Sequence, residues 1–220
     1  MARMRPTTPA ARAYAEARLP PGGTGWREAA WAVVDLETTG LDPAGDEIVS
    51  VAVMPVDGGR IIPGAGLYRL VRPARPLTAG SIAIHGIRPA DLESAPALDD
   101  VLDDLLGALT GRLVVAHAAF VERGFLEPAL AGRGVRLRGD LADTRLLGRA
   151  WLAEHDHASV PARLGLTDLA ERLGLPAHRP HHALGDALTT AQVFLALATH
   201  LEHRGRLSVK TIMTLSRQLP

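Results

Sequence analysis

Residues 31–40 read WAVVDLETTG, an apolar run that ends in two acidic residues and a turn. The part from Trp31 to Leu36 is short and contains β-branched residues, which predicts a buried strand. Side chains alternate along a strand, so Asp35 and Glu37 leave the same face. Two such carboxylates repel each other unless a cation neutralises them, and hard oxygen ligands favour Mg²⁺ or Mn²⁺. The alternative is a strand end that frays into solvent.

The patterns on both sides of this segment predict an α/β protein. Apolar runs predict further strands at residues 48–56, 61–71, 113–116 and 137–144. Helical spacing predicts helices at 89–109, 119–131 and 166–173, and a long helix that begins near residue 182. Three strands followed by alternating helices and strands are typical of a mixed sheet, here with five main strands and with helices on both faces.

Three more polar residues follow these elements at positions where chemistry is expected. Glu122 lies about one turn into the helix after the fourth predicted strand. It points toward Asp35 if the first and fourth strands are neighbours, and otherwise it is a solvated helix charge. Asp186 lies in the first turns of the long helix, with His181 at its entry. A histidine beside metal-binding carboxylates takes a proton from water near neutral pH; the alternative is a loop histidine that caps the helix.

The composition excludes several classes of protein. Of 220 residues, 47% are hydrophobic and 22% are charged, as in globular proteins. The absence of Cys excludes disulfides, a thiolate nucleophile and a Cys-based zinc site. The apolar stretches are too short for a membrane span, and the N-terminal residues do not form a secretory signal. We therefore expect a cytoplasmic protein without a membrane partner.

The charge is balanced in total but uneven along the chain. There are 24 basic and 24 acidic residues; residues 1–27 carry net +4, residues 200–220 carry +3, and the middle carries −7. The residues PPGGTG at 20–25 are typical of a linker. We therefore expect a flexible basic extension at 1–27, one domain at 28–203 and a tail at 204–220. An acidic middle repels phosphate unless bound cations invert its field.

Three motifs occur in the order found in one family of nucleases. They are VVDLETTG at 33–40, VAHAAFVERGFL at 115–126 and HHALGDAL at 181–188. Together they resemble the exonuclease motifs of the DEDDh 3′-to-5′ exonucleases, which include the epsilon-like proofreading subunits. The resemblance covers about residues 30–200 and implies an RNase H-like fold, with a structural role for Asp143. It also implies substrate contacts from Thr38, Thr39, Gly40, His85, Gly86, Ile87 and His117.

The resemblance further implies hydrolysis of nucleic acid, with DNA favoured, by two Mg²⁺ or Mn²⁺ ions. By motif position, Asp35 contacts both ions, and Glu37 and Asp186 hold the ion on the side of the attacking water. Glu122 helps to hold the other ion, and His181 is the general base. The implied substrate is single-stranded nucleic acid or a 3′ end, the implied product is a nucleoside 5′-monophosphate, and a DNA polymerase is a further candidate partner.

The second motif departs from the family pattern, which usually reads Val-Ala-His-Asn-Ala-x-Phe-Asp-x-x-Phe-Leu. Aligned without gaps, Ala118 stands in place of Asn, Val121 in place of Phe and Glu122 in place of Asp. The register that puts Val121 at the acid position leaves the site one acid short, so we prefer Glu122. Two alternatives to a DNA exonuclease stay open: an RNA exonuclease of the same family, and a nucleic-acid-binding or polymerase-associated protein with weakened catalysis.

Overall fold

The computed structural model describes residues 4–155, 161, 163–203 and 205–217, and its centre is a six-stranded sheet. The strands are β1 (Trp31–Thr38), β2 (Ile48–Asp57), β3 (Arg60–Ile61), β4 (Leu67–Leu70), β5 (Leu113–Ala116) and β6 (Ala142–Asp143). Their order is β3-β2-β1-β5-β6, with β4 also paired to β2. Strand β1 is antiparallel to β2 and parallel to β5, which is parallel to β6. The sheet is therefore mixed, and the first and fourth predicted strands are neighbours.

Helices connect and cover these strands. They are α1 (Pro9–Glu16), α2 (Ala79–His85), α3 (Pro89–Leu92), α4 (Leu98–Leu109), α5 (Phe120–Ala131), α6 (Thr144–His155), α7 (Leu166–Arg172), α8 (Ala183–Glu202) and α9 (Val209–Leu215). Among the described residues, no helix is both long enough and apolar enough to cross a membrane.

The alternation of β1 divides the hydrophobic core between the two faces of the sheet. Val34 and Leu36 pack in one cluster with α4 and α5. Val33 and Trp31 pack in the other cluster with α8, and the Trp31 ring lies 4.9 Å from that of Phe194. The prediction of an α/β mixed sheet with helices on both faces is confirmed.

Several predicted elements are shorter or divided. The predicted third strand is split into β3 and β4 by a 3₁₀ turn that begins at Pro63, which has no N–H to offer a sheet. The predicted fifth strand is reduced to β6, because the preceding Gly139 has a φ of +74° and Asp143 starts the next helix. The predicted helix at 89–109 is α3 and α4, separated by residues 93–97.

The terminal segments differ from the expected extension and tail. Tyr14 of α1 is 2% exposed and packs on the α4 side of the core, so this part of 1–27 is folded rather than flexible. Arg5, Arg12, Arg18 and Arg27 occupy exposed positions of this segment. Helix α9 likewise buries Ile212 within 204–220. Residues 1–3, 204 and 218–220 of these two predicted segments lie outside the described residues.

Candidate active site

Two carboxylates lie at the C-terminal end of the central strand. Asp35 is paired with Ala52 and Glu37 with Ser50 across the β1–β2 ladder, and the register shifts directly after Glu37. Glu37 is 8% exposed, whereas Asp35 is half-buried. Leu36 points into the cluster on the α4 and α5 side, so the two acids share the α8 face as the alternation predicted.

Helix α8 brings a third carboxylate to the same place. Asp186 lies in its first turn, because the helix begins at Ala183. Carboxylate oxygens of Asp35, Glu37 and Asp186 all lie within 4.8 Å of one another. Carboxylate oxygen is the donor that Mg²⁺ and Mn²⁺ prefer, and three such donors at this separation fit a divalent cation.

Glu122, in the first turn of α5, lies next to this group. Parallel pairing of β5 with β1 places the start of α5 beside the end of β1. The Glu122 side chain is buried at 5% exposure, and its Oε2 has no hydrogen-bond partner among the described residues. A buried carboxylate oxygen without a partner is costly unless a cation satisfies it. The orphaned atom therefore adds a fourth candidate ligand to the cluster.

Among the described residues, no positive charge offsets the raised pKa values of Asp35, Glu37 and Glu122. Burial raises the pKa of Asp35 well above its usual range, and the charges of Glu122, Asp186 and Glu37 add to the effect. Burial and Asp186 raise the pKa of Glu37 to about 7. Burial, followed by the charges of Asp143 and Glu37, raises the pKa of Glu122 to about 8. A bound cation relieves this repulsion and restores the charged form of each group.

The loop before α8 holds His181 against the cluster through its backbone. The His181 N–H donates a hydrogen bond of 2.8 Å to Asp186 Oδ2, and its φ of +60° lies in the left-handed region. The side chain is exposed. Gly185 permits this arrangement, since a Cβ there would lie 2.2 Å from the carbonyl oxygen of His178. The loop is therefore packed directly on the first turn of α8.

An aromatic contact that the sequence did not reveal steadies the same loop. The ring of His182 stacks on Tyr68 of β4, with centroids 5.0 Å apart and planes 24° from parallel. Burial raises the pKa of Tyr68, and the nearby Arg179 opposes that shift. The histidine-rich composition of 178–182 signalled a polar site, but only the sheet pairing brings Tyr68 to it.

Three predicted substrate-binding residues, at 38–40, hold their own loop. Thr38 Oγ1 donates to the carbonyl oxygen of Gly40. Thr39 Oγ1 donates to Asp46 at 3.0 Å and accepts from the N–H of Glu47. A Cβ at Gly40 would lie 2.4 Å from Asp46 Oδ2, so glycine is needed for this close approach. The turn after β1 is thus rigid, and substrate contact by these residues stays a prediction.

The predicted substrate-contact residues His85, Gly86 and Ile87 lie at the C-terminal end of α2 and directly after it. His85 and Ile87 are buried, and the Ile87 N–H donates to His85 Nδ1 at 3.0 Å. Gly86 ends α2 with a φ of +71°. Ile84 is 61% exposed. Ile84 therefore presents its side chain to solvent, and substrate contact by His85, Gly86 and Ile87 stays a prediction.

His117 makes hydrogen bonds within the fold through both ring nitrogens. Its Nδ1 lies 3.0 Å from Thr144 Oγ1, and its Nε2 lies 3.0 Å from the carbonyl oxygen of Leu164. Burial lowers its pKa, which favours the neutral ring. With both nitrogens engaged, His117 joins β5 to α6 and to the segment before α7, and substrate contact by this residue stays a prediction.

Asp143 positions the start of α5, in keeping with its predicted structural role. Its carboxylate accepts the N–H groups of Ala118 and Ala119 and also that of Arg145 at the start of α6. Ala118 has a φ of +60°, a conformation that asparagine adopts more readily than alanine. These hydrogen bonds hold the turn that aims Glu122 at the cluster.

Comparison with known proteins places these motifs among nucleases. A family model described as Exonuclease matches residues 32–194. A DNA polymerase III subunit epsilon-like protein of Rhodobacter capsulatus is 36% identical over 186 residues, which cover 83% of this chain and 25% of that protein. DNA polymerase III PolC-type of Thermotoga maritima is 33% identical over 81% of this chain and 12% of its own length. The chain thus spans a quarter or less of these curated relatives.

Solved structures share the fold. Exonuclease X in complex with 5′ overhanging duplex DNA has a TM-score of 0.65 at 22% identity, covering 85% of this chain and 99% of that one. The nuclease domain of 3′hExo, a DEDDh family member bound to rAMP, has a TM-score of 0.65 at 17% identity, covering 80% of this chain and 94% of that one. At these identities the likeness concerns the arrangement of strands and helices.

Proposed function

This chain belongs to the exonuclease family, of the DEDDh, epsilon-like type, and we propose on that basis that it hydrolyses nucleic acid from the 3′ end and releases nucleoside 5′-monophosphates. The observation that carries the proposal is the convergence of Asp35, Glu37 and Asp186 within 4.8 Å, beside the buried Glu122. Four acids from three separate motifs lie together at the C-terminal end of β1. Such a group is costly to the fold, and a metal-dependent reaction on phosphate accounts for it.

We propose that the four carboxylates hold two Mg²⁺ or Mn²⁺ ions. When bound, such ions offset the negative charge of the phosphodiester and of the attacking and leaving oxygens. Asp35 is half-buried between the other acids and suits a shared ligand. Glu37 and Asp186 would hold one ion, and Glu122 would help to hold the other through its unpartnered Oε2. The longer Glu122 side chain thereby takes the position of the usual Asp.

We propose that His181 is the general base. Its exposed side chain can reach a water molecule in front of the cluster, and it would take the proton that this water loses on attack. The bond from its N–H to Asp186 ties the base to a ligand of the cluster. The stack of His182 on Tyr68 limits movement of the loop, so the base is preorganised by contacts that do not themselves take part in the reaction.

DNA is the substrate that we favour, in proofreading or repair, with a DNA polymerase as partner. Support comes from the names of the relatives, which are DNA polymerase III proteins. We also propose that residues 28–203 form the exonuclease domain, supported by the family match at 32–194. The RNA alternative has support of the same kind, since one structural neighbour is bound to rAMP. Of the predicted alternatives, weakened catalysis is the less favoured, because Glu122 is buried beside the other acids.

The test uses a single-stranded oligonucleotide labelled at its 3′ end, with Mg²⁺ or Mn²⁺ and then with a chelator. We expect stepwise loss of the label that stops on chelation and in Asp35→Ala. Asp100→Ala is the matched control, since Asp100 is an exposed acid of α4 and does not belong to the carboxylate cluster. A parallel RNA oligonucleotide decides between the sugars. A gel shift without shortening of either strand would replace the proposal by nucleic-acid binding alone.

A further inference from the structure

Phe120 is a large apolar side chain that the fold leaves exposed beside the candidate active site. It is the first residue of α5 and is 59% exposed. Glu122 follows two residues later on the same helix and is buried. Since successive helical residues turn by about 100°, Phe120 and Glu122 point to different sides of the helix. The Phe120 ring therefore lies outside the carboxylate cluster, on a different side of α5 from Glu122.

A guanidinium covers part of the Phe120 ring. Arg145, at the start of α6, has its guanidinium carbon 5.3 Å from the ring centroid, a cation–π distance. Its Nε is buried and makes no hydrogen bond within the described part of the chain. The nearby Asp143 carboxylate is engaged by the backbone N–H groups of Ala118, Ala119 and Arg145. Arg145 therefore supports an exposed aromatic ring through a cation–π contact.

The pair borders a cleft between the starts of α5 and α6 and the end of α9. The cleft has a volume of about 230 Å³, and its lining includes Ala119, Phe120, Asp143, Leu146 and Ser216. Two arginines line it, and both are ion-paired: Arg123 with Glu127 at 2.7 Å, and Arg217 with Asp140 at 2.8 Å. Arg145 is not a lining residue and is connected to the cleft through its contact with the Phe120 ring.

We propose that the Phe120 ring and the Arg145 guanidinium form a platform on which a base of the nucleic-acid substrate stacks, outside the reacting position. This inference rests on the proposed function, since it assigns a substrate contact to the same enzyme. Every nucleobase has a π face, so stacking on an aromatic ring tolerates all sequences. Arg145 adds a cation above the ring, and this contact holds the ring in place. Contact with a base beyond the reacting nucleotide would make longer strands better substrates.

The experiment compares two substrates in the full chain. One is a labelled single-stranded dodecamer, and the other is the p-nitrophenyl ester of thymidine 5′-monophosphate, which carries a single base. We expect Phe120→Ala and Phe120→Leu to lower the ratio of kcat/KM for the dodecamer to kcat/KM for the ester by roughly 5- to 150-fold, the range for one stacked base. Phe120→Tyr retains the aromatic face and keeps the ratio. Arg145→Gln lowers the ratio, whereas Arg60→Gln removes an exposed charge at the opposite end of β2 and does not.

The outcomes separate this inference from the proposed function. If the ratio is the same in Phe120→Leu and Phe120→Tyr, or if the ester and the dodecamer lose equally in Phe120→Ala, the platform is wrong although the chain is an exonuclease. If the unmodified chain cleaves neither substrate, the proposed function fails. Fluorescence anisotropy of the dodecamer then decides the platform by itself: weaker binding in Phe120→Leu than in Phe120→Tyr supports it, and equal binding overturns it.

Discussion

The Glu37→Gln variant tests whether the acidic cluster destabilises the metal-free protein. Glu37 is 8% exposed, and burial together with Asp186 raises its pKa from 4.5 to about 7. The folded chain therefore holds this proton more tightly than the unfolded chain does. As pH rises from about 4.5 to about 7, the folded state loses that advantage and unfolding becomes easier. The glutamine variant carries no charge and escapes the loss.

The size of the effect follows from the pKa values. For a carboxyl group whose pKa is raised in this way, the free energy of unfolding falls by about 3 kcal/mol at pH 8 and by about 1 kcal/mol at pH 5. In a chain of this length, about 3 kcal/mol corresponds to roughly 6–12 °C in Tm. We therefore expect Glu37→Gln to melt well above the unmodified chain at pH 8 in the presence of a chelator, and only slightly above it at pH 5.

The assay is thermal unfolding in chelator at both pH values, followed by titration with Mg²⁺ or Mn²⁺. Glu93→Gln, at an exposed position, is the matched control and should not change the pH dependence. Added metal should raise the Tm of the unmodified chain more than that of Glu37→Gln. An equal shift for Glu37→Gln at pH 5 and pH 8, or a metal-free chain that becomes more stable between these values, would refute the electrostatic reasoning.

Variants at four further positions test the site and the loops that hold it. His181→Ala should lower kcat roughly 10²–10⁴-fold without unfolding the chain, and a normal kcat removes His181 as the base. Glu122→Ala should lower activity by more than the roughly 10- to 100-fold typical of a residue that only supports a metal ligand. Glu122→Asp should keep more activity than Glu122→Ala. If neither variant changes activity, the chosen motif register is wrong. Ala118→Gly should stabilise the chain by about 1 kcal/mol in urea unfolding, since glycine adopts the φ of +60° freely, and an unchanged midpoint would show that the turn is unstrained. Gly185→Ala should destabilise by about 1–3 kcal/mol because its Cβ meets a backbone oxygen, whereas the control Gly107→Ala, with open space around its Cβ, should stabilise α4.

Local sequence patterns predicted the elements that have a continuous apolar run or a clear apolar stripe. The apolar run before Asp35 is β1, the run at 113–116 is β5, and the long apolar stripe after residue 182 is α8. Elements with mixed composition escaped prediction. Helix α6 follows Asp143, whose carboxylate accepts its first N–H groups, but a short polar and apolar mixture such as TRLLGRAW resembles neither a clear stripe nor a strand. Helix α1 lies in the segment that we expected to be a flexible extension, and its packing through Tyr14 depends on core residues that are distant along the chain.

The order of residues along the chain by itself indicated the candidate acids: Asp35 and Glu37 end a buried strand, Glu122 lies in the first turn of the helix after another, and Asp186 belongs to the third motif. Whether these acids lie together was decided by the tertiary structure. The parallel pairing of β1 with β5 sets Glu122 beside Asp35, and the packing of α8 on the sheet brings Asp186 to Asp35 and Glu37. The same packing occupies both nitrogens of His117 and leaves Phe120 uncovered. Hydrogen bonds and exposure depend on neighbours that are distant along the chain, and such neighbours exist only once the chain has folded.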